Sequence, residues 1–227
     1  MFRGLFLKFG QQEHIEQLQK QGLIYCNTFE YFQKCENKEQ HDPYENASEI
    51  LKGKNCKLII DGKEFEVDPE SSIGIYKGND PNCDYTNIFC TAAFSYDSKL
   101  VHNHNIYDPS LFDFGNTILV IHDIEIFISR MTEKLEDLKN KHLIDNYRAN
   151  PVEYINMDSY EGTWGPFKKS DKFKHQLEWR LALKIPQQKE PFSFSIGSIE
   201  DISKTSPRQN CVNKVIQNPS GTYNLEI

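Results

Sequence analysis

The stretch Lys172–Leu183 has the sequence KFKHQLEWRLAL, and it governs how the rest of the chain is interpreted. Polar and apolar residues alternate along it with a period of two, which predicts a half-buried strand. The apolar face carries Leu177, Trp179 and Leu181. The polar face carries Gln176, Glu178 and Arg180, with about 6.5–7 Å between alternate residues. Such a row is suited to binding and polarising a small polar ligand, and it is equally typical of a solvated strand face with a Glu–Arg pair.

The composition is that of an acidic protein with enough bulky apolar material for a core. The 227 residues include 15 Phe and 11 Tyr and carry a net charge of −7, so polyanion binding would need a local basic patch. The six cysteines form no Cys-x-x-Cys pair, which predicts free thiols. No apolar run is long enough to span a membrane, and Met1–Phe9 lacks the features of a signal peptide. We expect a cytoplasmic protein with a single domain over residues 1–227 and no membrane partner.

The order of patterns along the chain predicts a β-rich α+β fold. Helices are predicted at Gln11–Gln21, after an N-cap at Thr28, and from Asp123 to about Lys141. The Asp61-Gly62 pair predicts a hairpin within Cys56–Val67. Further strands are predicted at Phe2–Phe9, Leu23–Cys26, Ile73–Tyr76, Ile88–Tyr96, Thr117–His122, Val152–Met157, Gln176–Ile185, Phe192–Ile196 and Thr222–Glu226.

A second notable feature is the basic, aromatic stretch Tyr160–Lys174, which leads into the predicted strand. It contains four lysines interleaved with aromatic residues. Aromatic faces and ammonium groups together are typical of sites that bind single-stranded nucleic acid. The same composition also fits a solvated loop whose aromatic side chains anchor it to the core. The candidate target-binding residues are Trp164, Phe167, Lys168 and Lys169.

Other constellations are weaker. His102 and His104 could share one face as metal ligands, but no third ligand is marked and they lie in a polar stretch, so we expect no metal site. A metal-dependent nuclease using this pair is the least favoured alternative. The chain has neither a Gly-x-Gly-x-x-Gly nor a Gly-Lys-Ser/Thr sequence, which argues against a dinucleotide-binding Rossmann unit and a P-loop.

The order of these landmarks resembles the ADP-ribosyltransferase superfamily. The likeness rests on the strand–helix–strand arrangement before Thr28 and on Gln176-Leu177-Glu178, which matches the Gln-x-Glu signature. It extends to uncharacterised bacterial toxin and phage-defence proteins, which share a segment like Asp42–Glu45. The resemblance implies a split antiparallel β-core with flanking helices that holds NAD.

The resemblance also implies residue roles. Glu178 would stabilise the oxocarbenium-like state formed when the nicotinamide–ribose bond breaks, and Gln176 would orient an acceptor other than arginine. The first strand offers Lys8 or Arg3 where the family has Arg or His. The residues implied in NAD binding are Lys8, Tyr25, Asn27, Thr28 and Arg180, and Arg180 could instead pair with a carboxylate.

We therefore expect an NAD-dependent ADP-ribosyltransferase that acts as a toxin or defence effector. Its acceptor would be a macromolecule, with RNA or single-stranded DNA favoured over protein by the basic aromatic stretch. An antitoxin partner is a further possibility. The alternative from a different class is a non-catalytic module that uses residues 160–174 to bind RNA or a protein.

Overall fold

The computed structural model describes residues 4–35, 37, 41–45, 47–75, 85–95, 105–186, 190–217 and 223–226. The α-helices are α1 (Gln12–Gln21), α2 (Phe29–Lys34) and α3 (Ile124–Asn140). In chain order the strands are β1 (Gly4–Gly10), β2 (Leu23–Thr28), β3 (Glu49–Lys52), β4 (Leu58–Ile60), β5 (Lys63–Phe65), β6 (Ser72–Ile75), β7 (Asn87–Ser95), β8 (Thr117–Ile121), β9 (Asn146–Pro151), β10 (Glu153–Ile155), β11 (Gly162–Thr163), β12 (Lys168–Ser170), β13 (Glu178–Lys184), β14 (Phe192–Ser195), β15 (Ser203–Pro207), β16 (Lys214–Gln217) and β17 (Tyr223–Glu226).

Eight of the described strands form one antiparallel sheet. Six of them follow the order β14-β2-β7-β1-β8-β15, and β13 joins β7 to β9. The short pair β10–β12 is parallel, while the β4–β5 hairpin and the β3–β6 pair are antiparallel. The protein is therefore a mixed α+β protein with a mostly antiparallel sheet, as the sequence predicts.

The main core lies between one face of this sheet and the helices α1 and α3. Phe6 of β1 packs against Trp179 of β13 with ring centroids 4.9 Å apart, and Phe127 of α3 meets Phe6 edge-on at 6.2 Å. An apolar stripe along α3 faces this core, since Ile128 is partly buried and the other members are buried, namely Ile124, Phe127, Met131, Leu135 and Leu138. A second cluster, which includes Leu7, covers the opposite face.

The ends of the helices follow from local sequence. The Asp123 carboxylate accepts a hydrogen bond of 3.0 Å from the backbone N–H of Ile126, and the Thr28 hydroxyl accepts one of 3.1 Å from that of Tyr31. Both N-caps are as predicted. Gly22 ends α1 with φ of 60°, and a Cβ at this position would lie 1.9 Å from the carbonyl oxygen of Gly197. Both the positive φ and this close approach require glycine.

The prediction for the stretch around Glu178 was wrong in two respects. The residues Asp171–Gln176 form a 3-10 turn, so the strand begins at Glu178 rather than at Gln176. The strand is also not half-buried, because every residue of β13 except Lys184 is buried. It lies between β7 and β9, and its polar face is covered by the segments that carry Glu45 and Pro166.

Sequence patterns also missed the strands β3, β9, β15 and β16. Strand β9, for example, has the polar sequence NYRANP and ends in proline, which gives no strand signal. None of the helices within the described residues is long and apolar enough to cross a membrane.

Candidate functional site

The site begins with an interruption in the pairing of β7. On one edge, β7 pairs with β13 from Asn87 to Ala92. On the other edge, β2 pairs with Asn87 and Ile88, whereas β1 pairs only from Ala92 onward. Among the described strands, none pairs with residues 89–91 on this second edge. The strands β1 and β2 therefore diverge there and leave a stretch of backbone facing a gap.

This gap opens into a cleft of about 600 Å³ between β1, β2 and α1. That volume lies within the range of small-molecule sites in proteins. The side chains around it come from positions far apart in sequence. They include seven of the residues singled out from sequence, namely Lys8, Tyr25, Asn27, Lys169, Gln176, Glu178 and Arg180.

Glu178 is held by a buried ion network centred on Arg180. The Arg180 Nε donates to Glu178 Oε1 at 2.9 Å, and Nη2 donates to Glu178 Oε2 at 3.2 Å. The same guanidinium binds both carboxylate oxygens of Glu45, and Nη1 also donates to the carbonyl oxygen of Pro166 at 2.7 Å. Arg180 is 1% exposed. It therefore pairs with two carboxylates, which is one of the two roles expected for it, and because it also lines the cleft its role in NAD binding stays a prediction.

Lys169 joins the two members of the Gln-x-Glu signature. Its ammonium donates to Gln176 Oε1 at 2.8 Å and to Glu178 Oε2 at 3.2 Å, and it lies 4.6 Å from the centre of the Phe173 ring. Lys169 itself is 4% exposed. An ammonium has three donors and no acceptor, so it fixes the amide oxygen of Gln176 towards itself. Lys169 thus lies in the interior of the protein and lines the cleft, and its predicted contact with a target stays a prediction.

The network keeps Glu178 ionised. Burial by itself would raise the pKa of Glu178, but the charges of Arg180 and Lys169 hold it well below its usual range. Burial raises the pKa of Glu45, and Arg180 opposes this effect. The pKa of Arg180 lies well above its usual value because the two carboxylates outweigh its burial. The cleft thus presents a carboxylate that is fixed in position and negatively charged.

Lys8 occupies the gap between β1 and β2. Its ammonium donates to the carbonyl oxygen of Cys90 at 2.8 Å and lies 4.9 Å from the centre of the Phe89 ring. Burial lowers the pKa of Lys8, although Cys90 and Glu178 oppose the change. The Cys90 thiol lies close enough to the Glu178 carboxylate to help lower its pKa, and burial raises the pKa of the thiol itself well above its ordinary value. Lys8 and Glu178 are therefore electrostatically linked across the floor of the cleft.

The rim of the cleft is aromatic. Tyr25 on β2 is 53% exposed and Tyr31 on α2 is 46% exposed, and both border the opening. Asn27 also lines it, with its side-chain oxygen accepting from the backbone N–H of Thr28 at 2.9 Å. Thr28 does not line this cleft, because its hydroxyl caps α2. The expected role of Thr28 in NAD binding is therefore not supported by its position.

The other three residues predicted to bind a target, Trp164, Phe167 and Lys168, pack against neighbouring side chains and backbone. Trp164 is 4% exposed and packs against Tyr160 with ring centroids 5.5 Å apart. The Phe167 ring packs beneath the Arg148 guanidinium at 5.2 Å. The ammonium of Lys168 donates to the Tyr160 hydroxyl and to the Thr163 carbonyl, each at 2.8 Å. Trp164 is buried, and Phe167 and Lys168 are only partly exposed, so target binding by these side chains stays a prediction that their positions do not favour.

Three residues that hold the site had no role assigned from sequence. Glu45 lies in the segment Asp42–Glu45 noted above, yet its pairing with Arg180 spans 135 positions. The Tyr154 hydroxyl accepts a hydrogen bond of 2.8 Å from the backbone N–H of Glu178, and Cys90 lies behind that carboxylate. No local pattern marks such long-range partners. Arg3, His102 and His104 lie outside the described residues.

A fixed anionic carboxylate, a buried ammonium and an aromatic rim around one cleft can bind a ligand with a ring system and stabilise positive charge that develops on it. No protein-family model, curated protein or solved structure matches the chain. A functional proposal therefore rests on these described residues.

Proposed function

We propose that the protein is an NAD-dependent ADP-ribosyltransferase. The observation that carries the proposal is the placement of Glu178, which is ionised and held rigidly beside Gln176 at the floor of the cleft. The interruption between β1 and β2 agrees with the split antiparallel core that the resemblance implies. Both residues of the Gln-x-Glu signature, Gln176 and Glu178, line the cleft.

In this reaction the bond between ribose C1′ and the nicotinamide nitrogen breaks. Nicotinamide leaves with the electron pair and becomes neutral, so positive charge develops on the ribose ring. The acceptor then forms a bond to C1′ and releases its proton to solvent. Glu178 would hydrogen-bond a ribose hydroxyl and lie against this developing charge. Because its orientation is set beforehand by Arg180 and Lys169, little reorganisation is needed as the charge forms.

A carboxylate accepts about four hydrogen bonds, and Glu178 already accepts three from Arg180 and Lys169. The Cys90 thiol, which is a weak donor, lies close to the same carboxylate. A ribose hydroxyl is a stronger donor and would displace the thiol. Because Cys90 also lines the cleft, the position next to the thiol is one where a substrate hydroxyl can reach the carboxylate.

The other cleft residues fit a dinucleotide. Lys8 supplies a positive charge for the phosphates or the carboxamide, and its ammonium retains donors beyond the one bound to Cys90. Tyr25 and Tyr31 offer aromatic faces at the rim, where a ring system can stack. Asn27 adds an amide to the same wall.

The test is nicotinamide release from NAD, measured with and without RNA, single-stranded DNA and cell lysate. The Glu178→Gln protein should lose about 10²- to 10³-fold in rate, as other preorganised electrostatic groups do. Its amide oxygen still accepts from Arg180, so NAD binding measured by calorimetry should persist. The Glu133→Gln protein, altered at an exposed glutamate on α3, should match the parent. Equal rates for the Glu178→Gln protein and the parent, or no release by the parent under any condition, would refute the proposal.

A further inference from the structure

The β4–β5 hairpin carries four large apolar side chains that the described part of the fold leaves uncovered. Each of them is between 46% and 63% exposed, namely Leu58, Ile59, Ile60 and Phe65. Residues 57–66 are exposed throughout. A hairpin of two strands is at best marginally stable in water unless a further strand or a packed surface joins it. The hairpin therefore presents apolar surface that a partner can cover.

The edge of β4 that faces away from β5 is open for strand pairing. Asp61 and Gly62 have φ of 50° and 77°, as in a two-residue type I′ turn between Ile60 and Lys63. In such a turn the carbonyl of the residue before it accepts from the N–H of the residue after it, so the backbone groups of Ile60 point towards β5. These groups alternate in direction along an antiparallel strand, so those of Ile59 point to the other edge. Among the described strands, β4 pairs with β5 alone.

The sequence of β4 and its flanks is complementary to itself. Residues 57–61 read Lys-Leu-Ile-Ile-Asp, with opposite charges at the two ends of an apolar run. A second copy of β4, placed antiparallel on the open edge with Ile59 opposite Ile59, brings Leu58 opposite Ile60. The same register brings Lys57 opposite Asp61, and opposite charges directly across two strands stabilise their pairing.

This register also joins the apolar side chains of the two copies. Phe65 lies opposite Leu58 within the hairpin, and Ile60 lies on the same face two residues along. Two copies therefore combine six apolar side chains into one strip across four strands. The outer edge of β5 is different, because two β5 strands paired there in antiparallel register would bring Glu64 opposite Glu64 or Glu66. Like charges directly opposite each other disfavour pairing, so the assembly stops at two copies.

We infer that two copies of this chain associate through their β4 strands and form one four-stranded antiparallel sheet. The inference depends on the hairpin alone, and it is independent of the proposed transferase activity. One strand edge and one apolar strip bury less than the ~1,200 Å² typical of stable complexes, so the dimer is weak, with a dissociation constant on the order of 10 µM.

The first test is sedimentation of the full chain between about 1 and about 100 µM, where the mean mass should rise from monomer to dimer. The Ile59→Lys substitution removes the two central isoleucines and brings two ammonium groups together. It should raise the dissociation constant about 100-fold. Because Ile59 is exposed, the variant should keep the circular dichroism of the parent. The matched control is Ile126→Lys, at an exposed isoleucine on α3, which should dimerise as the parent does.

The second test determines the register by cross-linking under mild oxidation. In the Ile59→Cys protein the two thiols face each other with about 5.5 Å between the Cα atoms, within the span of a disulfide, so a covalent dimer should form. In the Leu58→Cys protein the two new cysteines lie diagonally at about 7–8 Å, which is too far for a disulfide. The parent, which contains Cys56 near the hairpin, gives the background of cross-linking.

The outcomes distinguish this inference from the proposed function. Dimerisation by the parent that Ile59→Lys weakens supports the interface, even if the protein releases no nicotinamide. Equal dissociation constants for the two proteins, or equal cross-linking of Leu58→Cys and Ile59→Cys, would refute it. A parent that stays monomeric at about 100 µM also refutes it, as does one that remains monomeric and binds lipid vesicles or another protein through the hairpin. Growth into open-ended oligomers would contradict the closed dimer.

Discussion

The substitution Arg180→Met removes the positive charge that Glu45 and Glu178 share in the interior. Arg180 makes five hydrogen bonds, four to these carboxylates and one to the Pro166 carbonyl. Methionine has a similar length but leaves two buried carboxylates without this partner. Removing one member of a buried ion pair typically costs about 3–5 kcal/mol. For a chain of this size the melting temperature should fall by about 6–20 °C.

The cost of Arg180→Met should depend on pH in a defined direction. In the parent, the lowered pKa of Glu178 contributes stability above the ordinary carboxyl range, and that contribution is lost as the pH falls. In the variant, burial without Arg180 raises the carboxyl pKa values, so protonation at low pH relieves the unpaired charge. The difference in the free energy of unfolding between the parent and the variant should therefore narrow as the pH falls from about 8 to about 5.

The assay is urea denaturation of both proteins over this pH range. The matched control is Arg130→Met, since Arg130 pairs with Asp201 at the surface and its side chain is 31% exposed. Loss of such a surface pair costs about 0–1 kcal/mol. If Arg180→Met costs no more than Arg130→Met at pH 8, or if the difference between parent and variant does not narrow at lower pH, the account of the ion network is incorrect.

Two predictions concern the proposed reaction. The pKa of Glu178 lies well below its usual range, so this residue should give kcat/KM for nicotinamide release no acid limb between about pH 8 and about pH 5. A limb with a midpoint near pH 6 would contradict its assignment. The Lys8→Met substitution should raise the KM for NAD by about 10- to 100-fold, because a charged hydrogen bond is lost. The control is Lys139→Met, and an unchanged KM in the Lys8→Met protein would remove Lys8 from the binding site.

Local patterns in the sequence predicted much of the sheet and the helix ends. The caps at Thr28 and Asp123 depend only on residues within the same turn, and for this reason they could be recognised. The family resemblance implied Lys8, Tyr25 and Asn27 in NAD binding, and the sheet does bring them together with Glu178 around the cleft.

The predictions that were wrong concern residues whose contacts in the fold are made with residues distant in sequence. The period-two pattern around Glu178 was taken to continue through Gln176, but the 3-10 turn and the left-handed Leu177 interrupt it. Gln176 and Glu178 still both line the cleft, although they reach it from different backbone conformations. Lys169 resembles a surface lysine in sequence, since nothing local shows that it donates to a buried carboxylate and a buried amide in the fold.

The contact between Lys8 and Cys90 places a charged side chain at an unpaired part of the edge of β7. Where β1 and β2 diverge, residues 89–91 of β7 form an internal stretch of strand edge without a neighbour on that side among the described strands. Such an edge is a template onto which a strand from another molecule can add, a common first step towards aggregation. A lysine ammonium bound to the Cys90 carbonyl places a charge on this edge and blocks such pairing. Lys8, which is proposed to bind the ligand, would thus also hinder strand addition at residues 89–91 when the cleft is empty.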